Sequence, residues 1–433
     1  MNNRVVITGL GVCSPIGVGL PDFTKALKNG NSGIRYYSEL EDLKFSCHLG
    51  AIPEVTEEKK REYLTELQLR NFKSSSILYG IIAGMDALKD AKISASKIDD
   101  DPLWDLGIIF GTGVSSVEKF RESIHKVDDK NARRLSSNTV QQIMTSGISA
   151  YLGGLIGAGN IVTTNSSACS TGTEALLLGY ERIKTGKAKQ MLCGSTSDHG
   201  PYIWAGFDAL RITNYRYNDA PEKVPGPLSE TANGFIPGSG AGAYLLESLT
   251  SAEKRGATIY AEVLGGAVNN GGQRGKGTMT APNNKAIIKC IQAALNDSKI
   301  EGRDIEYING HLTATSKDPD EIESWCKALN RKGNNFPFIN SLKGAIGHCI
   351  GASASIEIVS ALVQMKEGFI FQNNNCEPIH PEILKNISID KIPTQTLYKT
   401  FNIMAKASFG FGDVNACVIF KKNIWIVWTG AQS

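Results

Sequence analysis

The chain has 433 residues, 41% hydrophobic and 21% charged, with a formal net charge of +3. That length supports a large core and more than one domain-sized unit, and so balanced a charge argues against nucleic acid as a partner. Nine cysteines are scattered without a CxxC, the N-terminus enters a strand at once, and no apolar stretch is long enough to span a membrane, so a reduced, cytoplasmic protein without a disulfide framework or zinc site is expected.

The first strand is expected over residues 4–11 (RVVITGLG), ending in a Gly turn, followed by a helix over 21–29. Residues 42–51 read as irregular or short-stranded. The charged run 54–65 (EVTEEKKREYLT) reads as a solvated surface segment. Residues 75–91 carry Ile77, Leu78, Ile81, Ile82, Met85 and Leu88 at helical spacing and predict a core helix. A buried strand over 106–113 (LGIIFGTG) follows, then a polar surface insertion over 115–130. Residues 140–155 predict one helix with a small-residue face (Ser146, Gly147, Ser149, Ala150, Gly153), suited to close approach of another helix in this chain or in a second subunit.

Residues 160–186 (NIVTTNSSACSTGTEALLLGYERIKTG) form the most informative stretch. A β-branched run turns through small residues into a helix, which puts Cys169 at or just before a helix N-terminus. Free N–H groups and the helix dipole there favour thiolate over thiol. On this stretch alone, a buried structural cysteine fits equally well.

Strands are then expected at 190–195, 259–267, 305–308, 338–340, 402–408 and 416–421, with a Gly-rich turn entering a strand over 235–246. Helices are expected at 284–295, 320–329 and 352–366, and loop at 210–226 and 269–277. This alternation predicts α/β layering with helices on both sheet faces. Comparable strand–Gly patterns near residues 5 (VVITGLG) and 261 (AEVLGGAV) hint at an internal duplication, with halves over 1–255 and 256–421 and a tail over 422–433. The tail carries Ile424-Trp425-Ile426-Val427-Trp428, too short to span a membrane. GSGAG and GTG do not make a nucleotide site, because neither GxGxxG nor a P-loop is present.

Three polar clusters sit at strand ends: Cys169, His311 in NGHLTAT, and Lys343 with His348 in NSLKGAIGHCIGASASIE. Only six histidines occur in the chain, and these two lie in small-residue turns. Taken singly, either histidine fits a satisfied core or surface residue better than a catalytic one. Together, a cysteine and a histidine suit nucleophilic thioester or amide chemistry, and the second histidine and lysine suit two donors aimed at one developing oxyanion.

The motifs VVITGLGVCSPIG, SSACSTG, HLTAT, SLKGAIGHCIGA and SFGFGDVNA, in this order over about residues 4–421, resemble those of the elongating β-ketoacyl-acyl carrier protein (ACP) synthases of the thiolase superfamily. Cysteine with two histidines separates the chain from the initiating synthases, whose set is Cys-His-Asn. The resemblance implies a thiolase fold, five-layered αβαβα from two duplicated halves. It implies that Cys169 takes the acyl group, that the N–H groups of Cys169 and Phe411 form the oxyanion hole, and that His311 and His348 stabilise the enolate left by malonyl-ACP decarboxylation. Lys343 would tune the histidine side, with Glu323. Phe411 would gate the acyl pocket, with Phe235 and Phe409 beside the substrate and Val114 lining the pocket. No metal or redox cofactor is implied.

An acidic carrier protein implies a basic docking patch, matched by Arg70, Lys73, Arg133, Arg134, Arg211 and Arg216, for each of which plain solvated charge is an equal alternative. A dimer is implied too, either of identical chains or with a chain-length factor. A non-condensing subunit of the latter kind is the rival from another functional class, and such subunits usually lack the cysteine. A CoA-dependent thiolase is disfavoured by the second histidine and by the missing second cysteine motif.

Four departures from the family pattern surround the expected chamber. Leu312 replaces the Gly of HGTxT and is expected to alter that turn. Asp413 replaces the last Gly of GFGG. RPFDxxRxGF appears as GPLSETANGF, residues 226–235. GDxxE appears as residues 319–323 (PDEIE), displaced by one position. They suggest a specialised branch, of polyketide or polyene type.

Overall fold

The computed structural model describes residues 2–274 and 278–422. Of the segments expected above, residues 275–277 of the 269–277 loop and nearly all of the apolar tail lie outside that range.

Ten strands carry the architecture. We label them β1 (Val5–Ser14), β2 (Leu106–Thr112), β3 (Val162–Thr163), β4 (Gln190–Ser197), β5 (Gly240–Ser248), β6 (Ala261–Asn270), β7 (Tyr307–Asn309), β8 (Phe338–Asn340), β9 (Ile403–Gly410) and β10 (Val414–Lys422). Within the first half the order is β3-β2-β4-β5-β1, and within the second it is β8-β7-β9-β10-β6. The order is thus the same in each set of five. So are the directions: parallel around β2 and β7, antiparallel thereafter. The repeated strand–Gly segments are the first strand of each half, and they pair with one another, Val5 opposite Val263 and Ile7 opposite Ala261.

Six helices cover the strands: α1 (Ser75–Asp90), α2 (Gly147–Ile156), α3 (Thr171–Lys184), α4 (Asn284–Ser298), α5 (Asp318–Leu329) and α6 (Ser353–Glu367). Their packing gives the five layers. Ile81 and Ile82 of α1 and Leu152 of α2 form one outer core against Ile108 of β2 and Leu245 of β5. Ile291 of α4 and Trp325 of α5 form the other against Ile308 and Ile419. Between the sheets, Leu176 and Ile183 of α3 meet Ile356 and Val359 of α6, with Val12 from one half and Val418 and Phe420 from the other. Alternate residues of β10 therefore feed different cores, as pleating requires.

Position in the layers explains composition. Every residue of α6 from Ser353 to Met365 is buried, so this helix is apolar or small nearly all round. At Gly172, at the start of α3, a Cβ would stand 2.2 Å from Ser355 Oγ, so glycine lets the central helices close on each other.

Some local expectations change. The single helix over 140–155 is broken into Thr139–Ile143 and α2, because Met144 takes an extended conformation between them. The polar stretch 115–130 holds a surface helix, Val117–Asp128. A helix over Pro201–Ala209, begun by a proline after Gly200, precedes the loop at 210–226. Among the described residues no helix is long and apolar enough to cross a membrane.

Candidate active site

Cys169 lies in a single tight turn, Ala168–Ser170, that leads directly into α3. Ala168 adopts φ +48°, an uncommon conformation for a residue with a side chain. The turn is braced locally: Ser167 N–H donates to Thr171 Oγ1 at 2.9 Å, and that hydroxyl donates to the Ala168 carbonyl at 2.6 Å. Ser170 Oγ reaches across to the carbonyls of Ser408 and Val414, at 3.0 and 3.1 Å, tying the turn to the β9–β10 connection. Gly410 of that connection passes so close that a Cβ would lie 2.9 Å from the Ser167 carbonyl and 3.1 Å from Cys169 N.

The electrostatics of Cys169 correct the expectation from helix position. Burial pushes the thiol up to about 11, although the Lys343 charge and the N–H groups of Phe411 and Cys169 favour the thiolate. Desolvation of the charged form outweighs the helix terminus, so the resting group is a thiol. The same two N–H groups are the donors expected of an oxyanion hole.

His311 follows β7. Its backbone N–H donates to Glu321 Oε1 at 2.8 Å, and that of Leu312 to Glu321 Oε2 at 2.7 Å. Asp318 accepts from Thr313, Ala314 and Leu228, at 2.8, 3.2 and 2.9 Å. Both acids stand in the first turn of α5, three residues apart and so on one face. Burial holds both carboxyls above their ordinary range, Glu321 up to about 7.

The acids that hold the His311 turn are therefore Asp318 and Glu321, not Asp320 and Glu323. Asp318 and Glu321 keep the D-x-x-E spacing, and the register expected for residues 319–323 is corrected. Glu323 is corrected with it: two residues further round the helix it faces solvent, where it pairs with Lys327 at 2.8 Å. Leu312 does not distort the turn. Its φ is ordinary, its side chain is buried in the outer core, and Ala314 takes the left-handed conformation, φ +59°.

Lys343 begins the turn after β8. Its ammonium donates to the His311 carbonyl and to Glu357 Oε1, both at 2.5 Å. Glu357 is fully buried on α6, and its Oε2 makes an ion pair, without hydrogen-bond alignment, with Lys406 Nζ at 2.8 Å. Neither Glu357 nor Lys406 was expected from motif spacing. The signal was present: one acid inside SASIEIVSALV, and one lysine inside the buried strand IMAKASFG.

His348 Nδ1 accepts the Ile350 N–H at 2.9 Å and faces Ser353 Oγ at 3.0 Å. A neutral imidazole with its Nδ1 so used carries its proton on Nε2. The rings of His311 and His348 are 5.7 Å apart and nearly perpendicular. Burial first, then the Lys343 charge, holds both imidazoles well below their usual range. Near neutral pH both are uncharged hydrogen-bond donors.

Cys169, His311, His348, Phe235, Phe409 and Phe411 line one cavity of about 290 Å3, mostly apolar in its walls. Phe409 packs edge-on against His311 at 5.8 Å, and Phe235 lies 5.0 Å from His348. Phe207, another residue not expected, touches both Phe235 and Phe411, at 5.7 and 6.2 Å. Val114 does not line this cavity. It is 52% exposed beyond the end of β2, where the chain has left the sheet. Asp413 does not face the cavity as a free charge: its carboxylate accepts the N–H groups of Gln273 and Asn283, each at 3.1 Å.

Arg70, Lys73, Arg133, Arg134, Arg211 and Arg216 are all exposed. Lys73 and Lys126 both approach Glu122, and Lys126 also donates to the Arg134 carbonyl, so Lys73 and Arg134 lie beside the surface helix Val117–Asp128. Arg121 of that helix stacks on Tyr202, which links it to the helix preceding Arg211.

Two family models match the chain: the beta-ketoacyl synthase N-terminal domain over residues 2–252 and the C-terminal domain over residues 260–377. A 3-oxoacyl-[acyl-carrier-protein] synthase 2 of Synechocystis sp. is 30% identical over 424 residues, covering 97% of this chain and 98% of that protein. The crystal structure of a beta-ketoacyl synthase from Burkholderia phymatum superposes with a TM-score of 0.88 at 26% identity, over 98% of this chain and all of that one. A type II polyketide ketosynthase, solved with its acyl-carrier protein and bound to the hexaketide, superposes with a TM-score of 0.85 at 25% identity over the same shares. Extent of match, shared fold and a cysteine that lines one cavity with two neutral imidazoles agree: the chain belongs to the beta-ketoacyl synthase family.

Proposed function

We propose that this protein is a β-ketoacyl-ACP synthase, an acyltransferase that lengthens an acyl chain by two carbons through decarboxylative Claisen condensation. The observation that carries the proposal is the placement of one thiol and two uncharged imidazoles on one cavity. In the first half-reaction Cys169 Sγ attacks the thioester carbonyl of acyl-ACP. The N–H groups of Cys169 and Phe411 hold the tetrahedral oxyanion, the carrier thiol leaves, and the thiol proton goes to it.

In the second half-reaction malonyl-ACP loses CO2. His311 and His348 hydrogen-bond the enolate oxygen, and neutral donors do so without supplying a proton that would quench the carbanion. The carbanion attacks acyl-Cys169, the Cys169 thiolate is expelled, and β-ketoacyl-ACP departs. Lys343 positions His311 through its carbonyl, and Phe411 gates the cavity.

The partner is an acyl carrier protein docking on the basic surface around Val117–Asp128. A second subunit, identical or related, covers the edge strand β3, where Val162 and the nearby Leu178 are partly exposed. Nine unpaired cysteines accord with a reducing cytoplasm. The altered 226–235 segment, which ends in Phe235 on the cavity wall, favours a specialised acyl chain over housekeeping elongation.

The test is intact-protein mass spectrometry after incubation with saturated and polyunsaturated acyl-ACPs, beside Cys169→Ala. Acylation absent from the control establishes the nucleophile, and the preferred acyl group tests the specialised branch. No acylation by any substrate would favour a non-condensing subunit.

A further inference from the structure

Lys406 is fully buried, yet it lies on a strand rather than at a turn or surface. It stands in register with Asn309, two residues before His311. On β9 Met404 joins the central core, while Ala405 and Ala407 join the outer one. Alternation therefore directs Lys406 into the central layer, toward Glu357 of α6. Lys343 occupies only Oε1 of Glu357; Lys406, at 2.8 Å, supplies the charge for Oε2. A buried carboxylate with one uncompensated oxygen would be free to turn toward another partner.

We propose that Lys406 is a positioning residue for the condensation half-reaction, acting through Glu357 to hold Lys343, and with it the His311 turn, in working geometry. The proposal rests on the assignment of His311 and His348 as the enolate-binding donors. The contacts run in series: Lys406 to Glu357, Glu357 to Lys343, Lys343 to the His311 carbonyl. Lys343 and Lys406 together outweigh Glu357, which leaves positive charge behind both imidazoles. The other titratable groups facing this site are the buried carboxyls Glu321 and Asp318, both spent on backbone N–H groups of the His311 turn, the thiols of Cys169, Cys349 and Cys417, and Tyr307, with Lys317, Asp320 and Asp413 elsewhere on the cavity wall. Both lysine charges oppose protonation of the two histidines.

The experiment compares Lys406→Met and Lys406→Gln with wild type in separate half-reactions. Cys169 acylation from acyl-ACP is followed by mass, and malonyl-ACP decarboxylation by CO2 release from about pH 5 to 9. We expect acylation within about twofold of wild type, a decarboxylation kcat about tenfold lower, and an acid limb moved to higher pH by roughly half a unit to one unit. A folded variant with an unchanged acid limb would overturn the proposal, as would equal loss of both half-reactions with the limb unmoved. If neither variant folds, Lys406→Arg decides: it keeps the charge, so the wild-type limb supports the proposal and a shifted limb overturns it. His311→Ala with full decarboxylation would instead overturn the histidine assignment, so the two failures are distinguishable.

Discussion

Glu321 holds His311 by its backbone, not by its ring: the carboxylate accepts the His311 and Leu312 N–H groups at 2.8 and 2.7 Å, and the imidazole is left free to face the cavity. An amide cannot accept through both heads. Glu321→Gln should therefore release one N–H, loosen the turn and lower malonyl-ACP decarboxylation by roughly 10- to 100-fold, with little effect on acylation. Glu323→Ala, on the solvent face of the same helix, should change stability by less than about 0.5 kcal/mol and leave both half-reactions intact. Equal effects of the two substitutions in a decarboxylation assay would refute this account of the turn.

The depressed basicity of His311 and His348 has a sign that can be measured. Their neutral forms persist in the folded state below pH 6.5, the ordinary imidazole value, at which the unfolded chain already takes up protons. Stability contributed by these groups is thus complete above that value and declines as pH falls through it. No acid limb from an imidazole should appear in decarboxylation above about pH 6; a limb near pH 7 belongs to the Glu321 carboxyl, which burial holds at about 7, and should be absent from Glu321→Gln. In Glu321→Gln, a rate that halves near pH 6.5 while the protein stays folded would contradict the burial argument.

Cys169 rests as a thiol, with burial setting its value at about 11. Alkylation by iodoacetamide should be slow at neutral pH and rise about tenfold per pH unit above it, because only the thiolate reacts. The readout is the mass of the Cys169 peptide against time. A rate already at its plateau at pH 7 would show that the helix terminus, not desolvation, governs this thiol.

Gly410 lets the gate loop rest on the nucleophile turn. Gly410→Ala should force the two apart, destabilise the fold by about 1–3 kcal/mol and slow acylation more than substrate binding. Melting temperature and single-turnover acylation would check this. Wild-type acylation in the variant would mean that the loop yields without consequence.

Reversing the charge of Arg133 and Arg134 together should raise KM for ACP substrates, with a steeper effect at low salt, and spare small thioester mimics. Equal loss with both substrate types would place these residues in folding rather than docking.

Much of this protein could be read in one dimension because its informative features are local. Buried strands announce themselves as β-branched runs, α1 by its apolar period, and the Cys169, His311 and Lys343–His348 turns by short motifs in a set order. The duplication left only a faint trace, VVITGLG against AEVLGGAV, because after divergence what persists is strand order and direction rather than residue identity. The tertiary structure alone decided which charges meet. The family resemblance put Glu323 with Lys343, but helix geometry turns it outward and brings Glu357 in from α6. Lys406 becomes significant only when β9 lies beside β7 and beneath α6. The protonation states of Cys169, His311 and His348 were equally out of reach of sequence. Desolvation sets them, and desolvation exists only once distant segments have closed over the site.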